Sequence, residues 1–119
     1  EERINYRRQY QPLDYPNAGS IFKNFPFDQA PAKLKELALE KNVVKADPFP
    51  LIPTAFIINE CGLTGKEIGG AKISTKHPNF IINFHQAKSQ DVLDLINLIK
   101  ETVYKTFEII LEEEIEIVG

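Results

Sequence analysis

The sequence predicts an α+β domain, a small mixed or antiparallel sheet with helices packed on it. Three observations predict it. Residues 89–107 carry apolar side chains at helical spacing, the run Phe80 to Phe84 is apolar apart from Asn83, and Glu114-Ile115-Glu116-Ile117 alternates strictly. The sequence shows no internal repeat and no low-complexity tract. The 119 residues fit one domain. A chain of that size buries roughly two-thirds of its unfolded surface, enough for a core without covalent staples.

Residues 1–17 are polar and hold Pro12 and Pro16, each of which disfavours helix at the residue before it, so this part should be extended. The turn signal Asn17-Ala18-Gly19 then leads into a short strand at Ile21-Phe22, with Ser20 at its start. Pro31 suits a first helical turn, and Leu34, Leu37 and Ala38 share one stripe, which predicts a helix from about 30 to 41. Pro48, Pro50 and Pro53 break the chain. A second helix runs from Thr54 to Cys61, led by Pro53 and stopped by the left-handed preference of Gly62. Gly62, Gly65, Gly69 and Gly70 mark a segment that must turn tightly or let another backbone or a ligand come close. Ser89 caps the longest helix, whose buried face is Val92, Leu95, Ile96, Ile99, Val103 and Phe107, with Asp91 at its positive end. The closing strand puts Glu114 and Glu116 on its polar side.

Fourteen basic and seventeen acidic residues give a net charge of -3, so the surface as a whole is no nucleic-acid platform. All three arginines lie at Arg3, Arg7 and Arg8, while Glu108 and Glu112 to Glu116 crowd the other end; either cluster is ordinarily a solvated face. The single cysteine, Cys61, cannot form an internal bridge and suits a reducing compartment. No apolar run approaches bilayer length, and neither a membrane nor a nucleic-acid partner is expected. The chain begins at Glu1 without methionine, in a polar stretch that reads as a cut from a longer polypeptide.

Taken singly, the motifs are weak. Gly62-Leu63-Thr64-Gly65-Lys66 invites a phosphate-loop reading, but a Walker loop needs four residues between its glycines and Ser or Thr after the lysine, where Glu67 stands. His77 and His85 are separated by the predicted strand and do not make a metal site; no metal is expected. Cys61 reads as a small buried hydrophobe and not a nucleophile. Ser20 alone would be a turn hydroxyl with no histidine nearby to activate it, and Glu114 alone a surface-facing strand carboxylate.

Three ordered stretches change those odds. Ala18-Gly19-Ser20-Ile21-Phe22-Lys23-Asn24, then Ile68-Gly69-Gly70-Ala71 running to His77-Pro78-Asn79-Phe80-Ile81-Ile82-Asn83, then Leu111-Glu112-Glu113-Glu114 closing at Ile117-Val118-Gly119, together look like the C-terminal region of one family. That family is UDP-N-acetylenolpyruvoylglucosamine reductase, also called UDP-N-acetylmuramate dehydrogenase or MurB. Thr54 to Gly65 resembles its intervening helix, and Arg7 to Pro16 the stretch leading into the serine. The resemblance covers nearly the whole chain. It divides the chain into an extended lead-in at 1–17 and a substrate-binding C-terminal domain at 18–119.

What the resemblance implies is specific. A cytoplasmic flavoprotein of peptidoglycan synthesis, its FAD reduced by NADPH, passes hydride to the double bond of UDP-N-acetylglucosamine enolpyruvate, and a proton must quench the enol charge that builds up. Ser20 matches the proton donor, Glu114 the carboxyl that stabilises the enol, and Asn24 a substrate-contacting asparagine. His77 falls where relatives place a polar substrate-side residue whose identity varies. A protonated Glu114 would be the useful form, which requires burial once domains close. The family's flavin pyrophosphate loop belongs to upstream flavin-binding domains of the same polypeptide, so this chain alone is expected to bind no flavin and reduce nothing. The sequence departs from the usual pattern: proline is displaced to Pro26, Ala55 stands where glycine is common, Pro78 where alanine is frequent, and Glu116 at an often basic position. The alternative reading is a non-catalytic binding or interaction module that keeps the fold.

Overall fold

The computed structural model describes residues 21–46 and 49–114. The lead-in expected at 1–17, Ser20 and the Ile115 to Ile117 part of the closing strand lie outside these residues. In chain order the elements are β1 (Phe25–Pro26), a single 3-10 turn (Phe27–Gln29), α1 (Ala32–Glu40), β2 (Leu51–Ile52), α2 (Thr54–Glu60), β3 (Glu67–Ile68), β4 (Ala71–Ile73), β5 (Ile81–Asn83) and α3 (Ser89–Phe107). The class is α+β. Both sheets are antiparallel: β1 pairs with β2, and β3, β4 and β5 form a three-stranded meander in that order.

The helix α3 organises the packing. Its residues Val92, Leu95, Ile96, Ile99, Val103 and Phe107 recur at helical spacing, and all six are buried, as their pattern predicts. This face lies on β3 and β4, where Ala71 and Ile73 of β4 point inward and Lys72 between them does not. The other long edge of α3 meets α2, which contributes Ile57 and Ile58 to the same core. Burying each such side chain is worth roughly 1.5–3 kcal/mol, so the α3 face supplies much of what holds the domain together.

The helix ends follow local chemistry. Gly62 takes φ +75 after α2, the left-handed stop its position calls for, and a Cβ there would meet nothing. The cap of α3 falls at Lys88, one residue before the expected Ser89, because the Asp91 carboxylate accepts the Lys88 N–H at 3.0 Å and so closes the first turn from inside. The same carboxylate accepts the Gly70 N–H at 3.2 Å and ties the meander to the helix start. Gly70 is the close approach that the glycine segment signals: a Cβ would strike the His85 carbonyl, whose own N–H, like that of Phe84, bonds to the Gly70 oxygen. The neighbour is backbone and not a ligand.

Four ladder strands were not expected from the pattern. β1, β2 and β3 have two residues each and β4 three, too short for alternation to show. Within the proline-broken stretch, Lys45 and Leu51 exchange both backbone hydrogen bonds at 2.8 Å as an isolated antiparallel bridge. Replacing Ile99, fully buried on α3, by alanine should lower the unfolding free energy by about 2–5 kcal/mol in a denaturant titration. A loss under about 1 kcal/mol would mean that α3 does not carry the core.

Candidate functional site

The site is built on the run Ile21 to Asn24, which begins with two fully buried apolar residues, Ile21 and Phe22. Every backbone polar group from the Ile21 N–H to the Lys23 carbonyl has a partner. On one side, the Ile21 N–H donates to the Asn79 carbonyl at 2.8 Å, the Phe22 N–H to Asn79 Oδ1 at 3.1 Å, and Asn79 Nδ2 to the Phe22 carbonyl at 2.8 Å. On the other side the run pairs antiparallel with the end of the described chain. The Glu114 N–H donates to the Ile21 carbonyl at 2.7 Å and the Lys23 N–H to the Glu112 carbonyl at 2.9 Å, so Phe22 faces Glu113.

The start of α2 completes the frame. Thr54 Oγ1 donates to the Lys23 carbonyl at 2.6 Å, and Asn24 Oδ1 accepts the Thr54 N–H at 3.1 Å. That N–H is one of the helix-start donors with no partner inside the helix, so Asn24 acts as a remote cap. With its oxygen committed there, what Asn24 can offer a ligand is the Nδ2 group.

These constraints send three consecutive glutamates to different tasks. Glu112 pairs with Lys23 at 3.2 Å and Glu113 with Lys100 at 2.7 Å. Both pairs are substantially exposed and contribute little to stability. Among the described residues Glu114 is the one of the three without an ion-pair partner; it lines a cleft of ≈ 420 Å³ together with Phe22, Lys23, Asn24, Phe49 and Leu51. One wall is apolar, from Phe22, Phe49 and Leu51. The other side carries an ammonium, an amide and a carboxyl, so the cleft offers apolar contact beside hydrogen-bonding and charged groups.

Of the four site residues expected from sequence, the structure brings Asn24 and Glu114 together at this cleft. Glu114 is exposed here. His77 is also exposed and is not among the residues lining the cleft; it sits in a turn where Ser74 Oγ accepts its N–H at 3.0 Å and its ring meets Phe80 edge-on. Ser20 precedes the clamped run directly in sequence and lies outside the described residues.

Comparison with known proteins adds the family. A family model described as UDP-N-acetylenolpyruvoylglucosamine reductase, C-terminal domain, matches residues 11–118. The chain belongs to this family. It is 41% identical over 119 residues to UDP-N-acetylenolpyruvoylglucosamine reductase of Anoxybacillus flavithermus, covering all of this chain and 32% of that relative. It is 38% identical over 118 residues to UDP-N-acetylenolpyruvoylglucosamine reductase 2 of Symbiobacterium thermophilum, covering 99% of this chain and 30% of that relative. A Bacillus licheniformis relative of the same name is 37% identical and is covered over 52% of its length. The chain therefore spans about a third to a half of these relatives.

The glycine segment is occupied with its own backbone pairing and is not built as a phosphate loop. In the glycine segment the N–H groups of Gly62, Leu63, Gly65 and Lys66 donate to Asn59, Ile58, Ile73 and Leu63 carbonyls, and Gly70 to Asp91, so this segment has none of these donors left for a phosphate. Among the described residues no cluster of three metal-ligating side chains occurs, and no helix is long and apolar enough to cross a membrane.

Sequence reasoning missed Asn79 and Thr54 as site-building residues. Both stand as lone polar side chains beside apolar runs, and each was read only as part of a motif or a helix start. Cys61 is half-buried rather than buried, because it ends α2 at the core's margin and not on its inner face. Burial pushes its thiol up, partly offset by a hydrogen bond with Thr106, with Glu60 adding to the rise and Lys33 opposing it. A raised folded pKa means that stability is fully present below the unfolded thiol pKa and is lost as pH climbs through the folded one. Alkylation of Cys61 should accordingly begin at higher pH than alkylation of an unstructured cysteine peptide, followed by mass spectrometry across a pH series; coincident profiles would refute the shift.

Proposed function

We propose that this chain is the C-terminal, substrate-binding part of an NADPH-dependent flavoprotein that converts UDP-N-acetylglucosamine enolpyruvate to UDP-N-acetylmuramate, in the cytoplasm, for peptidoglycan synthesis. The observation that carries the reading is the meeting of Asn24 and Glu114, from opposite ends of the described chain, at one cleft. The family match and the names of the relatives support this choice of reaction. FAD, held by upstream domains of the same polypeptide, supplies the hydride when bound.

The chemistry asked of this chain is proton and charge management. Reduction of the enolpyruvyl double bond adds hydride to one carbon and a proton to its neighbour, leaving the lactyl ether. Negative charge gathers on the substrate carboxyl as the enol form develops. Ser20 gives the proton through its hydroxyl, which needs no base to make it a nucleophile. Glu114, in its protonated form, donates a hydrogen bond to the enol oxygen, an interaction that tightens as charge grows. Its exposure in this chain leaves room for a covering domain to desolvate it and favour that form. Asn24 holds the substrate through Nδ2, Lys23 adds positive charge beside the cleft, and His77, which does not line the cleft in this chain, is assigned to the substrate by the family resemblance alone.

Two outcomes check this reading. The isolated 119-residue chain should purify colourless and fail to oxidise NADPH with the enolpyruvyl substrate; a flavin absorption band near unit stoichiometry would count against it. In the polypeptide that carries the chain with its flavin-binding region, Ser20→Ala should leave flavin reduction by NADPH nearly intact. It should slow reoxidation by substrate by about 10²- to 10⁴-fold. Equal slowing of both half-reactions in stopped-flow absorbance would remove Ser20 from the role.

A further inference from the structure

Only two polar side chains are fully buried among the described residues, Thr54 at 0% and Asn79 at 5% exposure. Burying an amide or hydroxyl is costly unless it finds partners, so where such groups spend their hydrogen bonds shows what they are for. Thr54 and Asn79 lie on separate elements, the start of α2 and the turn before β5. Both spend their bonds on the same run, Phe22 to Asn24.

The two grips are complementary. The Asn79 amide meets the N–H and the carbonyl of a single residue, Phe22, as a neighbouring strand would, and so fixes the peptide planes on both sides of it. Thr54 fixes the next carbonyl, at Lys23, through its hydroxyl, while its backbone N–H holds the Asn24 amide by the oxygen. Asn24 is thereby oriented, and Glu114 with it, because its N–H hangs on the Ile21 carbonyl of the run that Asn79 holds. Among the described residues no other side chain bonds to the backbone of this run.

We propose that Asn79 and Thr54 are positioning residues for the reaction. They act through Asn24 and Glu114 by holding one short run in the register that places both groups at the cleft. The proposal rests on the reading of this chain as the substrate-binding part of the reductase. A displacement of about 1 Å at such groups is enough to cost about 10²-fold in rate.

The test uses the whole flavin-containing polypeptide with three variants: Thr54→Val, which keeps shape and removes the hydroxyl, Thr54→Ser, which restores it, and Asn79→Asp, which keeps Oδ1 and removes the donor to Phe22. Stopped-flow absorbance follows flavin reduction by NADPH and, separately, reoxidation of the reduced flavin by UDP-N-acetylglucosamine enolpyruvate. The expected result is a near-normal flavin spectrum and reduction rate in all three. Reoxidation should fall about 10- to 100-fold in Thr54→Val and Asn79→Asp and recover in Thr54→Ser. Reoxidation at the normal rate in folded Thr54→Val, or equal slowing of both half-reactions, overturns the positioning role. Should Asn79→Asp fail to fold, the isosteric Thr54 pair decides. A wild-type polypeptide that binds flavin but does not reduce this substrate overturns the functional reading as well, and is distinguished by failing before any variant is made.

Discussion

The structure depends on how one three-residue stretch of backbone is held. From Ile21 to Lys23 every N–H and C=O is paired, yet only two of those six bonds come from the facing extended segment at Glu112 to Glu114. The rest come from an asparagine amide and carbonyl on one side and a threonine hydroxyl below. A side-chain amide carries the same donor and acceptor as a peptide, so Asn79 substitutes for a strand where the sheet has none to offer. The result is a buried edge without orphaned polar groups, and the cleft beside it inherits that rigidity.

Rigidity here is paid for elsewhere in the fold. The six-residue face of α3, packed on the meander, provides the apolar burial that lets two polar groups be taken inside. The Asp91 carboxylate and the Gly70 close approach then lock that meander to the start of α3, and the meander carries the turn from which Asn79 reaches Phe22. Core packing, loop geometry and cleft are thus one connected chain of cause, in which the surface ion pairs at Lys23 and Lys100 take a minor part.

What could be read from sequence followed what is local. α3 and α2 were legible because a 3.6-residue period and a Pro-to-Gly frame are written in adjacent residues, and the buried face of α3 matched position by position. β1, β2 and β3 were not, because two-residue ladders carry no period and owe their existence to partners distant in sequence. The site divides in the same way. Glu114 and Asn24 came from resemblance, and the structure places them at one cleft. Asn79 escaped notice because its partner lies 57 positions away, a relation that no local pattern records. Cys61 was placed too deep because a helical stripe gives direction but not distance from the core's edge.

The pairing of Lys23 with Glu112 joins residues 89 positions apart, which makes the cleft a product of long-range closure. Bringing such ends together costs about 4 kcal/mol of chain entropy before any contact compensates. During synthesis the meander has no α3 face to pack on until Phe107 is made, and the seam needs Glu114, so both wait for the end of the described chain. The core and the binding surface are therefore completed by the same closing stretch of chain, since Phe107, Ile109 and Leu111 enter the core directly before Glu112 and Glu114 close the seam, and a chain cut short of that stretch loses both together.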